Sequence, residues 1–315
     1  MDVAREAGLS RATVSYVFNR DSRQSIPEAT RQRVLDAAAR LGYRPYGPAR
    51  LLRGGRSSVV LMLTPGLAHA SDFVAAGIIN RLGEALRKHG LHLVWQLGTE
   101  ERDTSIDLAP SLVLTSAAEG EPLIGELSQQ FSVPVLSAFP GLDAFIGSAS
   151  VAQVEHVAAR GRKHIAYAAP VRTDLAPTSK IRLAATTATA KRLRLPRPVA
   201  FTVPANRTEA ATALQRLLND NPAIDAICAY NDEVAFAVLA AAHDGDIAVP
   251  KRIAVIGIDN HPFGEVAIPA LTTVESDVTQ FVEAFAEQVA RLANNLPSPA
   301  VVLPELAHTV ERASA

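Results

Sequence analysis

Apolar residues follow two different rhythms along this chain. Up to about residue 43 they recur at helical spacing, and from Val59 onward they come in short continuous runs between amphipathic stretches. In the first rhythm Val3 and Ala7 lie four apart, Gly8 breaks the first helix and Leu9 fills the corner. Ser10 opens a second helix as its N-cap, accepting from a backbone amide that otherwise lacks a partner. Val14, Val17 and Phe18 form that helix's buried stripe and leave Arg11, Ala12, Ser15 and Tyr16 outward. A third helix is predicted over residues 27–41, with Pro27 near its first turn and Val34, Leu35, Ala38 and Leu41 inward. A short helix, polar on one side and pinned by another, fits the major groove of DNA. A plain helical hairpin with a solvated face has the same pattern.

The second rhythm predicts strands alternating with helices. Val59–Leu63 is a continuous apolar run, as for a parallel strand covered on both faces. A helix follows from about Asp72 to His89, then a strand over Leu91–Trp95. Further strands are predicted at 112–114, 134–136, 165–167, 199–201, 224–227 and 253–256, with helices at 150–160, 180–194, 208–219 and 232–243. So many alternations imply two doubly wound α/β sheets. Only about 15 residues, Gln96 to Ser111, separate the second and third strands, so the helix expected there is shortened or absent.

Charge sharpens the division. Residues 1–56 hold eleven Arg, no Lys and five acidic residues, a net of +6, whereas the remainder holds 20 basic and 27 acidic residues, a net of −7. A basic head on an acidic body suits a protein whose head alone meets phosphate. The single cysteine, Cys228, sits in an apolar run and reads as a small core hydrophobe rather than a nucleophile. No apolar segment precedes the first motif and no run approaches membrane-spanning length, so a cytoplasmic, nucleoid-associated protein without a membrane partner is expected.

Taken together, Asp2-Val-Ala-x-x-Ala-Gly-x-Ser10-x-Ala-Thr-Val-Ser-x-x-x-Asn19, Thr30-Arg31, Leu41-Gly-Tyr-x-Pro45 and Ala49-Arg-x-Leu52-Arg53 resemble the LacI/GalR family of bacterial transcriptional regulators. The pattern covers nearly all of the first 57 residues. The resemblance implies a helix-turn-helix three-helix head, a hinge helix and a periplasmic-binding-protein-like body of two doubly wound α/β subdomains. It places the head at 1–46 and the hinge and linker at 47–57. The N-terminal subdomain covers 58–147 plus 276–301, and the C-terminal one 148–275 plus 302–315, with crossings near 147, 276 and 302. In such a head Arg11, Ala12 and Tyr16 match base-reading positions, although Tyr16 could instead pack on the third helix. Thr13, Ser15 and Asn19 are better placed for phosphates. Ala49 and Leu52 match the hinge helix that forms in the minor groove, where the leucine is wedged between base pairs; packing of Leu52 against the body is the alternative. Met1 directly precedes Asp2, where relatives carry a few more residues and a cap, so either the start given is late or the first helix frays.

For the body the resemblance implies a small-molecule effector between the sheets, at the carboxyl ends of strands. Ser71, Asp72 and Phe73 lie where the family's first helix lines that cleft. Arg182 matches an arginine that grips effector hydroxyls or carboxylates. Asn231 and Asp232 match an Asn-Asp pair, and Asp259 a strand-end aspartate, with helix or turn capping as their alternative role. Phe139 stands where the family has an acidic strand end, Ser148 where it often has Asp, and Pro204–Asn206 lacks the aromatic sugar platform. The effector is therefore expected not to be a simple sugar, or to have been lost, leaving an effector-independent regulator with a degenerated site.

The expected partners are a palindromic double-stranded operator, a second copy of the chain and the effector; no cofactor or metal is expected. An enzyme on the same scaffold is the competing class. The chain contains no Gly-x-Gly-x-x-Gly, Walker Gly-x-x-x-x-Gly-Lys, Gly-x-Ser-x-Gly or His-Glu-x-x-His, and His89 and His92 straddle a helix end and a strand start. A transport solute-binding protein would share the body but need a secretion signal and lack the basic head.

Overall fold

The structure, a computed structural model, describes residues 2–19, 26–43, 57–64, 73–97, 108–117, 120–138, 140–302 and 307–315. The chain divides into two units, Met1–Ser57 and Ser58–Ala315.

The first unit contains α1 (Asp2–Glu6), α2 (Arg11–Asn19) and α3 (Glu28–Arg40). Gly8 turns the chain between α1 and α2 at φ +61°, a conformation that costs residues with a Cβ. The Ser10 hydroxyl then caps α2 by accepting from the Thr13 amide at 3.0 Å. Val3, Ala7, Val17, Val34, Ala37 and Ala38 form the core, with Leu9, Val14, Phe18 and Ile26 packed against it. Arg33 ties α3 to the turn by donating to the Ala7 carbonyl at 2.7 Å, and Arg40 meets Glu6 at 3.0 Å.

Two expectations for α3 are corrected. Leu35 and Leu41 are 43% and 44% exposed, and Ala37 takes the inward place. One residue after Val34, Leu35 is rotated about 100° off the stripe on a 3.6-residue helix. Leu41 is the C-cap, after which Gly42 reverses the chain at φ +60°.

The second unit is built on two sheets. One has the order β2-β1-β3-β4, from β1 (Val59–Thr64), β2 (His92–Leu97), β3 (Leu112–Thr115) and β4 (Val135–Ser137), all parallel. β1 shows why the run reads as continuously apolar. Val60 and Met62 face one core with α4 (Phe73–Lys88), while Leu61 and Leu63 face another with α5 (Pro122–Phe131).

The other sheet comprises β5 (Ile165–Pro170), β6 (Val199–Val203), β7 (Ala226–Ala229), β8 (Ala254–Ile258), β9 (Thr272–Glu275) and β10 (His308–Val310). Its order is β10-β9-β8-β7-β5-β6, with only β10 antiparallel. Around the two sheets lie α6 (Leu142–Ala159), α7 (Ala176–Arg192), α8 (Arg207–Asp220), α9 (Asp232–Asp244) and α10 (Thr279–Ala293). Cys228 lies wholly buried in β7, and burial pushes its thiol up to about 12.

Two helices start earlier than their polar pattern indicates. The helix predicted from 150 begins at Leu142, and the one predicted from 180 begins at Ala176, with Pro177 tolerated in its first turn. α6 is long because it serves both sheets. Phe145 and Ile146 enter the core of the four-stranded sheet, and Ala149, Val154 and Val157 that of the six-stranded sheet. The apolar residues of α6, from Leu142 to Ala159, do not fall on one amphipathic stripe, so the sequence pattern does not mark its start. The segment between β2 and β3, where a missing helix was expected, falls outside the described residues over 98–107.

Among the described residues, no helix is long and apolar enough to cross a membrane, and no group of three or more His, Cys, Asp or Glu could hold a metal ion.

Gly257 in β8 is dictated by a close approach, because a Cβ there would lie 1.9 Å from Asp232 Oδ1. Gly257→Ala is expected to cost about 2 kcal/mol or more in urea unfolding, through overpacking and loss of a buried hydrogen bond. Gly125→Ala in α5, where nothing lies within 4 Å, serves as the control and should be neutral or stabilising by up to about 1 kcal/mol.

Candidate functional site

Two surfaces carry the chemistry, one in each unit. In the first, the cap on α2 fixes the helix so that Val17 turns inward while Arg11, Ala12 and Tyr16 stay exposed. Tyr16 is 37% exposed, and the aromatic contact to the α3 end is made by Phe18 with Tyr43 instead, at 5.7 Å between centroids. Thr13 and Ser15 are half-buried, and the Thr13 hydroxyl is shared with Ser10 at 2.9 Å. Asn19 ends α2; its side chain, and Ala49 and Leu52 of the expected hinge, lie outside the described residues. Arg11 thus offers a bidentate donor beside Ala12 and Tyr16 on the exposed face of α2, a group suited to a guanine edge.

In the second unit, a cleft of about 280 Å³ opens between the two sheets' lobes. It is lined by Gly77, Ile78 and Arg81 of α4, Phe145, Ile146 and Ala149 of α6, Arg182 of α7, and residues 258–260, 274–276 and 278. The strand contributions come from the carboxyl ends of β8 and β9, as open parallel sheets dictate. Of the residues singled out in the sequence, Arg182 and Asp259 meet here. The Arg182 guanidinium donates through Nη1 to the Tyr230 carbonyl, lies 4.5 Å from that ring's centroid, and sits 3.7 Å from Asp259 Oδ1. Both charged side chains are more than nine-tenths buried, and Arg182 Nε has no partner among the described residues.

Asn231, Asp232 and Ser148 do not line the cleft. Asn231 Oδ1 caps α9 by accepting from the Val234 amide at 3.0 Å, and the Ser148 hydroxyl donates to the Phe145 carbonyl at 2.8 Å. Asp232 stands one layer behind. Its carboxylate accepts from Thr273 Oγ1 at 2.6 Å and from the His261 amide at 2.7 Å. Those bonds clamp the turn carrying Asp259, at φ +111°, and Asn260, at φ +48°. Such a backbone persists in L-residues only where its surroundings over-determine it. Ser71, Asp72 and Phe139 lie outside the described residues, as does the side chain of Phe73.

Sequence reasoning did not find Ile78, Arg81, Phe145, Asn260 or Glu275. Arg81 and Ile78 were accessible in principle: Gly77, Ile78 and Arg81 follow Phe73 at helical spacing, and that helix was already assigned to the cleft. Glu275 ends a parallel strand, which is also a readable signal. Phe145 gave none, since it lay in a segment not predicted to be helical.

Burial raises the Asp232 carboxyl to about 6, against the opposing pull of its hydrogen bonds to Thr273 and His261 and of Arg312 and Arg182. The folded chain therefore holds this proton more tightly than the unfolded chain, whose carboxyl keeps the ordinary 3.8. Its contribution to stability is fully present below that value and is lost as pH rises through about 6. Denaturant titrations should show wild type losing on the order of 2–3 kcal/mol relative to Asp232→Asn across that window. Parallel curves for the two proteins would refute the assignment.

Comparison with known proteins places these surfaces in a family. Residues 1–46 match the bacterial regulatory proteins of the lacI family, and residues 154–315 match the periplasmic binding protein-like domain. Catabolite control protein A of Priestia megaterium is 25% identical over 292 residues, covering 87% of this chain and 86% of that protein. Its counterpart in Staphylococcus aureus (strain Mu50) is 25% identical over 328 residues, covering 98% of this chain and 96% of that protein. Among solved structures, the fold is shared with the Lac repressor dimer bound to operator and the anti-inducer ONPF, at TM-score 0.75, 21% identity and coverage of 99% and 97%. A complex of the transcriptional regulator CelR with cellobiose aligns at TM-score 0.63 and 22% identity, over 100% of this chain and 98% of that one. With a lacI-type head on a periplasmic-binding-protein-like body, the chain belongs to the LacI family of bacterial transcriptional regulators.

Proposed function

We propose that the chain is a sequence-specific transcriptional repressor, acting in the bacterial cytoplasm without catalysis, whose grip on DNA is set by a small molecule in the body's cleft. The observation that carries this reading is the outward row of Arg11, Ala12 and Tyr16 on a capped helix, in a head of net charge +6. The helix enters the major groove. Arg11 reads a guanine edge, Tyr16 contributes apolar contact, and Thr13, Ser15 and Asn19 hold phosphates that fix register.

A single head reads only a half-site, so a twofold operator requires a twofold protein. The Lac repressor structure is that of a dimer on its operator, which supports a homodimer here. Residues 47–54 are too few for a helix stable alone, so Ala49 and Leu52 are assigned to a hinge that folds on DNA beside its partner copy. The solved structure of CelR is a complex with cellobiose, which supports reading the cleft that holds Arg182 and Asp259 as an effector site. An effector preferring one of two states, with a coupling of about 1–3 kcal/mol, changes operator affinity by about 5- to 150-fold.

Selection of bound duplexes from random DNA, followed by fluorescence anisotropy, tests the reading. It should yield a palindrome, and Arg11→Ala should cost about 1–3 kcal/mol there and relax the preference at one base pair per half-site. Recovery of no sequence preference in low salt would overturn it.

A further inference from the structure

The geometry points to the chemical class of the cleft's ligand: an α-amino acid with an apolar side chain, bound as a zwitterion. This inference rests on the effector reading above and deepens it. Arg182 and Asp259 stand side by side, 3.7 Å apart and each more than nine-tenths buried, and both line the cleft. They form an ion pair whose separation exceeds hydrogen-bond range. Arg182 Nε, buried and unpartnered among the described residues, is a donor awaiting an acceptor. A ligand carrying carboxylate and ammonium on one carbon presents a matching pair, its carboxylate to Arg182 and its ammonium to Asp259.

The balance of charge agrees. Among the described residues that line the cleft, two cations, Arg81 and Arg182, stand with two anions, Asp259 and Glu275, a lining that favours an occupant neutral overall yet doubly charged. A plain carboxylate would bring a second negative charge to buried Asp259, and a plain amine would leave Arg182 Nε unsatisfied. The opposite wall selects the side chain. Ile78, Phe145, Ile146 and Val278 belong to the apolar core of the four-stranded lobe and turn toward the cleft. A polyol laid against them would bury unpaired hydroxyls, at about 1–3 kcal/mol each. The volume of about 280 Å³ falls at the small end of ligand pockets, in keeping with a single amino acid. The strained φ of +111° at Asp259 shows that the fold holds this carboxylate against its backbone preference.

Calorimetry on the full chain tests this with L-leucine, L-isoleucine, L-valine, L-methionine and L-phenylalanine. Isopentylamine, 4-methylpentanoate, glucose and cellobiose serve as comparison ligands. At least one of the five amino acids should bind, and L-leucine should bind about 10- to 100-fold tighter than its amine or acid counterpart, as expected from one lost charge-assisted bond. Asp259→Asn, checked for an intact melting transition, should abolish the preference for L-leucine over 4-methylpentanoate. Failure of all five to bind, tighter binding of a sugar, or an undiminished preference in Asp259→Asn would overturn the proposal. Operator retardation is measured separately on the same sample. Amino-acid binding without DNA binding removes the regulatory reading alone, and DNA binding without amino-acid binding removes the ligand class alone.

Discussion

A buried carboxylate behind the cleft sets the geometry of everything in front of it. Asp232 opens α9, yet its oxygens are used across the sheet, by the Thr273 hydroxyl and the His261 amide. Those two bonds span the turn that carries Asp259 and Asn260, and Gly257 supplies the space by lacking a side chain. Gln153 of α6 supports the same region from another side. Its amide nitrogen donates to the carbonyls of Ala229, Ile256 and Gly257 at 2.9–3.0 Å. Burying such groups is costly unless they are bonded, so their concentration at two strand ends marks a place where backbone shape is held tightly.

α6 adds a second constraint. One continuous helix contributes Phe145 and Ile146 to one lobe's core and Ala149 to the other's, and the same three residues line the cleft. Ligand contacts at this helix therefore bear directly on the packing of both lobes. A packed element shared by two lobes is one through which a binding event can act at a distance. Any such action requires the ligand to favour one packing over the other.

Much of this was legible from residue order alone. The head could be read because its signals are local: Gly8 needs φ > 0, Ser10 needs an amide to accept from, and Val14, Val17 and Phe18 need one interior. The strands could be read because parallel strands covered on both faces, such as 59–64, are apolar throughout. Long-range placement hid the rest. Leu35 looked inward because helical phase was judged by residue type, whereas Ala37 fits the tight α1–α3 approach. Asn231 and Asp232 matched ligand contacts with capping as the alternative role; the folded chain shows the cap at Asn231, and at Asp232 a turn clamp that depends on β9, 41 residues away. Arg182 and Asp259 were found separately; their pairing across 77 residues of chain could be seen only after folding.

Hydrogen exchange at the His261 amide tests the central constraint most directly. In the wild type this N–H donates to Asp232 Oδ2 at 2.7 Å, so it should be protected, as hydrogen-bonded amides are. In Asp232→Ala its protection should collapse while amides in the middle of α9 keep theirs. Equal protection of His261 in both proteins would contradict the account, since the turn bearing Asp259 would then be held by something other than that carboxylate.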